Sequence, residues 1–297
     1  MGAACSFECS NLHDTTAVRY EIPAGQVRDQ YVRLVEGIEV DQRGTATLVI
    51  IRDVSDEFRS HLRERLADYC YGATVVSEDV SFYSFQKTVA EFLRRFEPKS
   101  LATKIGMAGE LLVHVLMPLL QEELSSSAVY FNKEERSIKK GFDLTFLRAD
   151  EPEIWYGEVK SGEVSEGGSA DEKAAALIDI ASSSLVSMLG DGELLSRWDA
   201  ALIDTRLTLD GGYARSAREL LQSDSETVRN GGQVAKRAVL AGAVMHELGH
   251  CVITPAGLEQ IVQAVEAGGD FVDSRVLVIQ QDALESVVRH LRDLANA

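Results

Sequence analysis

The segment from Gly141 to Ser161 constrains this chain more than any other, because it reads as two short strands joined by a tight turn. Alternation along the second strand puts Ile154, Tyr156, Glu158 and Lys160 on one face and Trp155, Gly157 and Val159 on the other. If Arg148 to Glu153 form the turn, Leu147 faces Ile154 and the antiparallel register sets Asp143 opposite Glu158. Two carboxylates and an ammonium then converge on one sheet face.

That grouping suits phosphodiester hydrolysis. A divalent cation neutralises the scissile phosphate and activates water, and hard ions such as Mg²⁺ or Mn²⁺ favour carboxylate and carbonyl oxygens. Asp143 and Glu158 supply the carboxylates, and the Val159 carbonyl is a further candidate ligand. Lys160 orients the attacking water or stabilises charge developing on phosphoryl oxygens. Glu110 is a candidate third carboxylate, because it interrupts the apolar run Ile105 to Val113, where an unpartnered charge is costly. A metal, Lys160 or His114 one turn later offers the partner. The plainer alternative is an exposed Glu158–Lys160 ion pair with Glu110 on a solvated helix stripe.

The order of elements around these residues supports the catalytic reading. Residues 15–90 mix strand runs, notably Ala46 to Ile51, with helical patterns from Asp56 to Cys70 and from Ser84 to Phe96. Ser100 is placed to cap a long apolar helix, Leu101 to Leu124, in which Pro118 predicts a kink. The hairpin follows, then a Gly- and Ser-rich loop, then a helix opened by Ser169 and Glu172. Helix is expected near 216–228, a strand at 275–280 and a helix at 282–294, with an apolar, helix-compatible stretch between 234 and 251. These patterns predict an α/β protein with a small N-terminal α/β region over 1–95 and a second domain over 96–297.

Composition bounds the partners. At 297 residues, 45% hydrophobic and with 5 prolines, the chain is expected to be well packed. No long uncharged membrane segment or signal core stands out, and Cys5, Cys9, Cys70 and Cys251 form no CxxC pair, so a reduced, cytoplasmic protein is expected. Its 30 basic and 47 acidic residues give a formal charge of −17, which opposes unaided binding to a polyanion. A basic partner that delivers nucleic acid removes this objection, as would local patches at Lys139-Lys140, Arg94-Arg95 and Lys99.

On Glu110, Asp143, Glu158 and Lys160, segment 101–190 resembles the core of the PD-(D/E)xK, or restriction-endonuclease-like, nuclease superfamily. More narrowly, Gly106-Met107-Ala108-Gly109-Glu110, Lys140-Gly141-Phe142-Asp143 and Gly157-Glu158-Val159-Lys160 together resemble HamA, the nuclease subunits of the Hachiman antiphage defence system. The resemblance implies a mixed central sheet flanked by helices and a metal-dependent deoxyribonuclease. Its catalytic residues are Glu110, Asp143, Glu158 and Lys160, the three acids being the metal ligands. It also implies a complex with a superfamily 2 helicase, HamB, that loads the DNA. No proline precedes Asp143, a departure at a loosely kept position.

A competing motif is His246-Glu247-Leu248-Gly249-His250, which matches the HExxH signature of zinc peptidases, where two histidines a helical turn apart bind the metal. No third histidine follows at metzincin spacing, so Glu259, Glu266 or Glu285 would have to complete the set. A non-catalytic nuclease-fold module that docks to a helicase is the third alternative.

Overall fold

A computed structural model describes residues 32–131, 141–148, 150–191, 195–282 and 288–293. Three N-terminal strands, β1 (Val32–Val35), β2 (Ile38–Arg43) and β3 (Ala46–Ile51), form an antiparallel meander. Helices α1 (Asp56–Tyr71), α2 (Ala73–Glu78), α3 (Phe85–Phe96) and α4 (Leu101–Leu120) follow. Ser55 and Ser100 cap α1 and α4 by accepting the Phe58 and Thr103 N–H groups, and Pro118 falls in the last turn of α4. Then come β4 (Leu124–Ser126), β5 (Leu144–Arg148), β6 (Glu153–Glu163), α5 (Ala170–Gly190), α6 (Leu195–Thr208), α7 (Gly211–Arg229), β7 (Arg237–Met245), α8 (Pro255–Gly268) and β8 (Asp273–Gln281). Residues 288–293 are helical.

All eight strands join one mixed sheet in the order β1-β2-β3-β8-β7-β6-β5-β4. The middle four, β3, β8, β7 and β6, are parallel, and the pairings outside them are antiparallel. One face is covered by α1, α3 and α4, whose Phe58, Phe92, Leu112 and Leu116 pack with Trp155, Val159 and Ala241 of the sheet. The other is covered by α5, α6, α7 and α8, whose Leu177, Trp198, Leu221 and Leu258 pack with Tyr156, Leu240 and Val278. This is the helix-flanked mixed sheet expected of a restriction-endonuclease-like core.

Two expectations change. The sheet runs across the boundary placed at residues 95–96, since Ala46 to Ile51 pair in parallel with Val276 to Gln281. The apolar stretch before His246 is a strand rather than a helix. A central parallel strand covered on both faces loses alternation and reads as a continuous apolar run, and Ala238 to Met245 are all buried.

Helices α4 and α5 are each long and apolar enough to cross a membrane by length and composition. Each contributes buried side chains to a face of the sheet.

The close seating of α4 depends on Gly109. A Cβ there would lie 2.0 Å from Ser161 Oγ and 2.8 Å from Ala243 Cβ, so the helix backbone crosses β6 and β7 with no room for a methyl group. Gly109→Ala is expected to lower stability by about 1–3 kcal/mol through overpacking, measured as a reduced urea midpoint.

Candidate active site

The β5–β6 hairpin has the register that alternation predicts, with Leu147 opposite Ile154 and Leu144 opposite Gly157. The ladder stops at Leu144, one residue short of Asp143. Asp143 instead uses its side chain, and its Oδ2 accepts the Val159 N–H at 2.9 Å. The acid is thereby pinned against the open edge of β6. In an extended strand the N–H and C=O of one residue point the same way, so the Val159 carbonyl faces this edge too.

Glu158 is 5% exposed, which removes the reading of a solvated surface pair. Its Oε1 accepts from the Lys160 ammonium, and its Oε2 is buried without a hydrogen-bond partner. Burial, then the adjacent Asp143 carboxylate, push the Glu158 carboxyl up to about 7 against the opposing pull of Lys160. A buried acid with an orphaned oxygen beside a second acid is a hard-oxygen donor pair short of a positive charge.

The shift carries a sign. A carboxyl whose folded pKa exceeds its unfolded value holds its proton longer in the native state. Its contribution to stability therefore falls as pH rises from about 4.5 to about 7 and is constant above that window. Without divalent cations, stability is expected to decline across this range by on the order of 1–3 kcal/mol. Urea unfolding at stepped pH checks this, and Glu158→Gln is expected to flatten the slope.

Glu110 sits on α4 one position beyond the Gly109 crossing, on the helix layer opposite the face that Glu158 and Lys160 share with Tyr156. It is near Tyr130, whose phenol is pushed well above 10 by burial and then by the Glu110 charge. Tyr130 Oη donates to the Met107 carbonyl at 2.8 Å. Among the described residues no three His, Cys, Asp or Glu side chains form a group able to hold a metal ion. The structure thus brings Asp143, Glu158 and Lys160 together and leaves Glu110 outside a three-acid cluster.

The aromatic wall behind Asp143 was not legible as part of the site. Phe142 packs on Tyr156 with ring centroids 4.7 Å apart and on Trp198 at 5.2 Å. Arg197, also on α6, is buried, donates to the Met188 carbonyl at 2.8 Å and places its guanidinium 5.9 Å from the Phe142 ring. Burial works against its charge, which Asp191 and then Glu158 support. Tyr156 Oη in turn donates to Asp224 Oδ2 of α7 at 2.6 Å. The residue preceding Asp143 is therefore held directly by α6 and, through Tyr156, by α7, both distant in sequence.

The basic patches expected to meet phosphate fare differently. Arg94 and Arg95 both pair with Glu91, and Arg95 also covers the Phe131 ring. Lys139 and Lys140 lie outside the described residues, and Lys99 is exposed. A different lysine, Lys173 of α5, lies against Gly162 on the strand that carries Glu158 and Lys160.

The HExxH reading fails on geometry. His246 follows β7 directly, and Leu248 to His250 form a turn rather than a helix. The turn is fixed by Leu248 N–H donating to Asp282 Oδ1 at 2.9 Å and His250 N–H to the Glu247 carbonyl at 3.0 Å. The side chains of His250 and Glu247 are 70% and 64% exposed and pair with each other, so the glutamate is not set as a base beside a metal. Glu259 and Glu266 lie on α8, with Glu259 bonded to Arg43, and Glu285 lies outside the described residues.

No curated protein matches the chain. The model of one protein family, described as HamA, matches residues 38–291, a span that holds the hairpin, the helices on both faces and every strand of the sheet except β1. With most of its length matched, the chain belongs to the HamA family.

Proposed function

We propose that this chain is a Mg²⁺- or Mn²⁺-dependent deoxyribonuclease that hydrolyses phosphodiester bonds, acting beside a superfamily 2 helicase of the HamB kind. Membership of the HamA family makes it a Hachiman-associated defence protein. The observation that carries the nuclease reading is the buried Glu158 with an orphaned oxygen, beside the half-buried Asp143 and with Lys160 one strand period away.

The donor set fits the cation. Mg²⁺ is commonly held by one or two carboxylates, with water and substrate phosphate completing its shell, so Asp143 and Glu158 with the Val159 carbonyl suffice. When bound, the ion supplies charge neutralisation at the phosphate and a more acidic water. Asp143 keeps its position through the Val159 N–H, so the site is preorganised on one side. With an ion held there, Glu158 would stand as the carboxylate, its proton released to solvent, and Lys160, shared less tightly with Glu158, would present its ammonium to the attacking water or the phosphoryl oxygens. Glu110 is proposed as a further acid acting from α4.

A formal charge of −17 disfavours capture of DNA by the chain alone, and a helicase that brings the strand to the site supplies what the surface lacks. The test is cleavage of labelled single-stranded and duplex DNA by the purified chain, alone and with its native partner, in Mg²⁺ or EDTA. Cation-dependent cutting is expected, strongest in the complex. An intact complex that never cuts DNA overturns the reading in favour of a non-catalytic module.

A further inference from the structure

We propose that Lys173 is a second phosphate-holding cation of the site, gripping the DNA backbone one strand period beyond Lys160. The inference rests on the nuclease reading and extends it to how substrate is held. On the α5 face of β6, Glu158 and Lys160 are followed by Gly162, and the strand period places that position about 7 Å beyond Lys160. The missing side chain at Gly162 is replaced by another residue's. A Cβ there would fall 2.7 Å from Lys173 Cε and 2.8 Å from Lys173 Nζ, so the lysine from the first turns of α5 lies across the strand in the notch the glycine leaves. Leu177, one turn further along α5, closes the same notch at 3.7 Å.

The seat is unusual in its chemistry. The chain holds 47 acidic residues against 30 basic ones, yet Lys173 is half-buried and, among the described residues, its ammonium has no hydrogen-bonding or ion-pairing partner. The ammonium is not walled into the core but reaches solvent, so it is open to an incoming anion. Lys160, by contrast, is already engaged with Glu158. The row Glu158, Lys160, Lys173 therefore grades from acids suited to a cation, through a shared ammonium, to an unshared one. An oligonucleotide whose scissile phosphate lies at Asp143 and Glu158 would bring a neighbouring phosphate within reach of Lys173. A phosphate contact of this kind carries no base preference, so the expected ligand is the DNA backbone irrespective of sequence.

The experiment compares wild type, Lys173→Gln and Lys173→Arg as full-length chains in the native complex. Anisotropy titrations of a fluorescent single strand in Ca²⁺ are run at several salt concentrations, alongside steady-state cleavage in Mg²⁺. Lys173→Gln is expected to weaken DNA binding roughly five- to tenfold at physiological salt, and equally for unrelated sequences. Its salt dependence of log K should lose about one unit of slope, and the cleavage defect should fall on KM more than on kcat. Lys173→Arg should restore most of the affinity. Unfolding midpoints of the variants separate lost contact from lost fold. If wild type cuts DNA and Lys160→Ala does not, while Lys173→Gln keeps wild-type affinity, slope and KM, this inference is wrong and the nuclease reading stands. If wild type neither cuts nor binds DNA, the nuclease reading falls and takes this one with it.

Discussion

Replacing Lys160 with alanine is expected to lower DNA cleavage by about 10²–10³-fold, the scale on which loss of one preorganised charge-stabilising group is felt. Cation binding should survive the change, because the ammonium competes with the metal for Glu158 rather than contributing a ligand. Glu158→Ala should lose both, since it removes the orphaned oxygen that the cation is proposed to occupy. Isothermal titration with Mn²⁺ beside single-turnover cleavage separates the two outcomes. Lys160→Ala that cuts at the wild-type rate would sink the assignment, whatever its metal affinity.

The second large effect is expected far from the chemistry in sequence. Trp198 is 2% exposed, its ring lies 5.2 Å from Phe142 and 5.8 Å from Tyr156, and its indole nitrogen has no hydrogen-bond partner. Trp198→Ala therefore loses packing rather than a polar contact, and should cost about 3–5 kcal/mol, a large share of a domain's stability. The cavity opens against Phe142, the neighbour of Asp143. Chemical unfolding checks the stability loss, and Mn²⁺ titration below the unfolding range should show weakened binding as Asp143 loosens. A variant with reduced stability but wild-type metal affinity would show that the aromatic wall holds the core without holding the acid.

The hairpin at the centre of the site was legible because its alternation is strict. One turn length sets Leu147 against Ile154, and that register brings Asp143 to Glu158. The starts of α4 and α5 were legible for a local reason too, a serine cap before a helical pattern. What failed was anything set by two-sided burial or by distant elements. Strand β7 looks helix-compatible because both its faces are covered. Helix α6 buries Arg197, Trp198, Ala201 and Thr205, a stripe with a charge and a hydroxyl in it, so apolar periodicity passes it by. Thr254, Pro255 and Gly269 do mark the ends of α8, a signal that the HExxH spacing just upstream obscures. Lys173 could not be found from sequence at all, because its place follows from a missing side chain on another element.

The order of strands in the sheet has a consequence during synthesis. β3 lies beside β8, and the strand carrying Glu158 and Lys160 is backed by β7, so each pairing waits for residues translated long after its first partner. Contacts between such distant segments form late, and a nascent chain that ends before β8 leaves β7 and β3 with exposed parallel edges. A ribosome-bound fragment thus carries the acids and the lysine without the scaffold that aligns them. If these residues cut DNA, the topology itself delays the appearance of a competent site until β8 has emerged, and a cell making the protein is shielded from it for that interval.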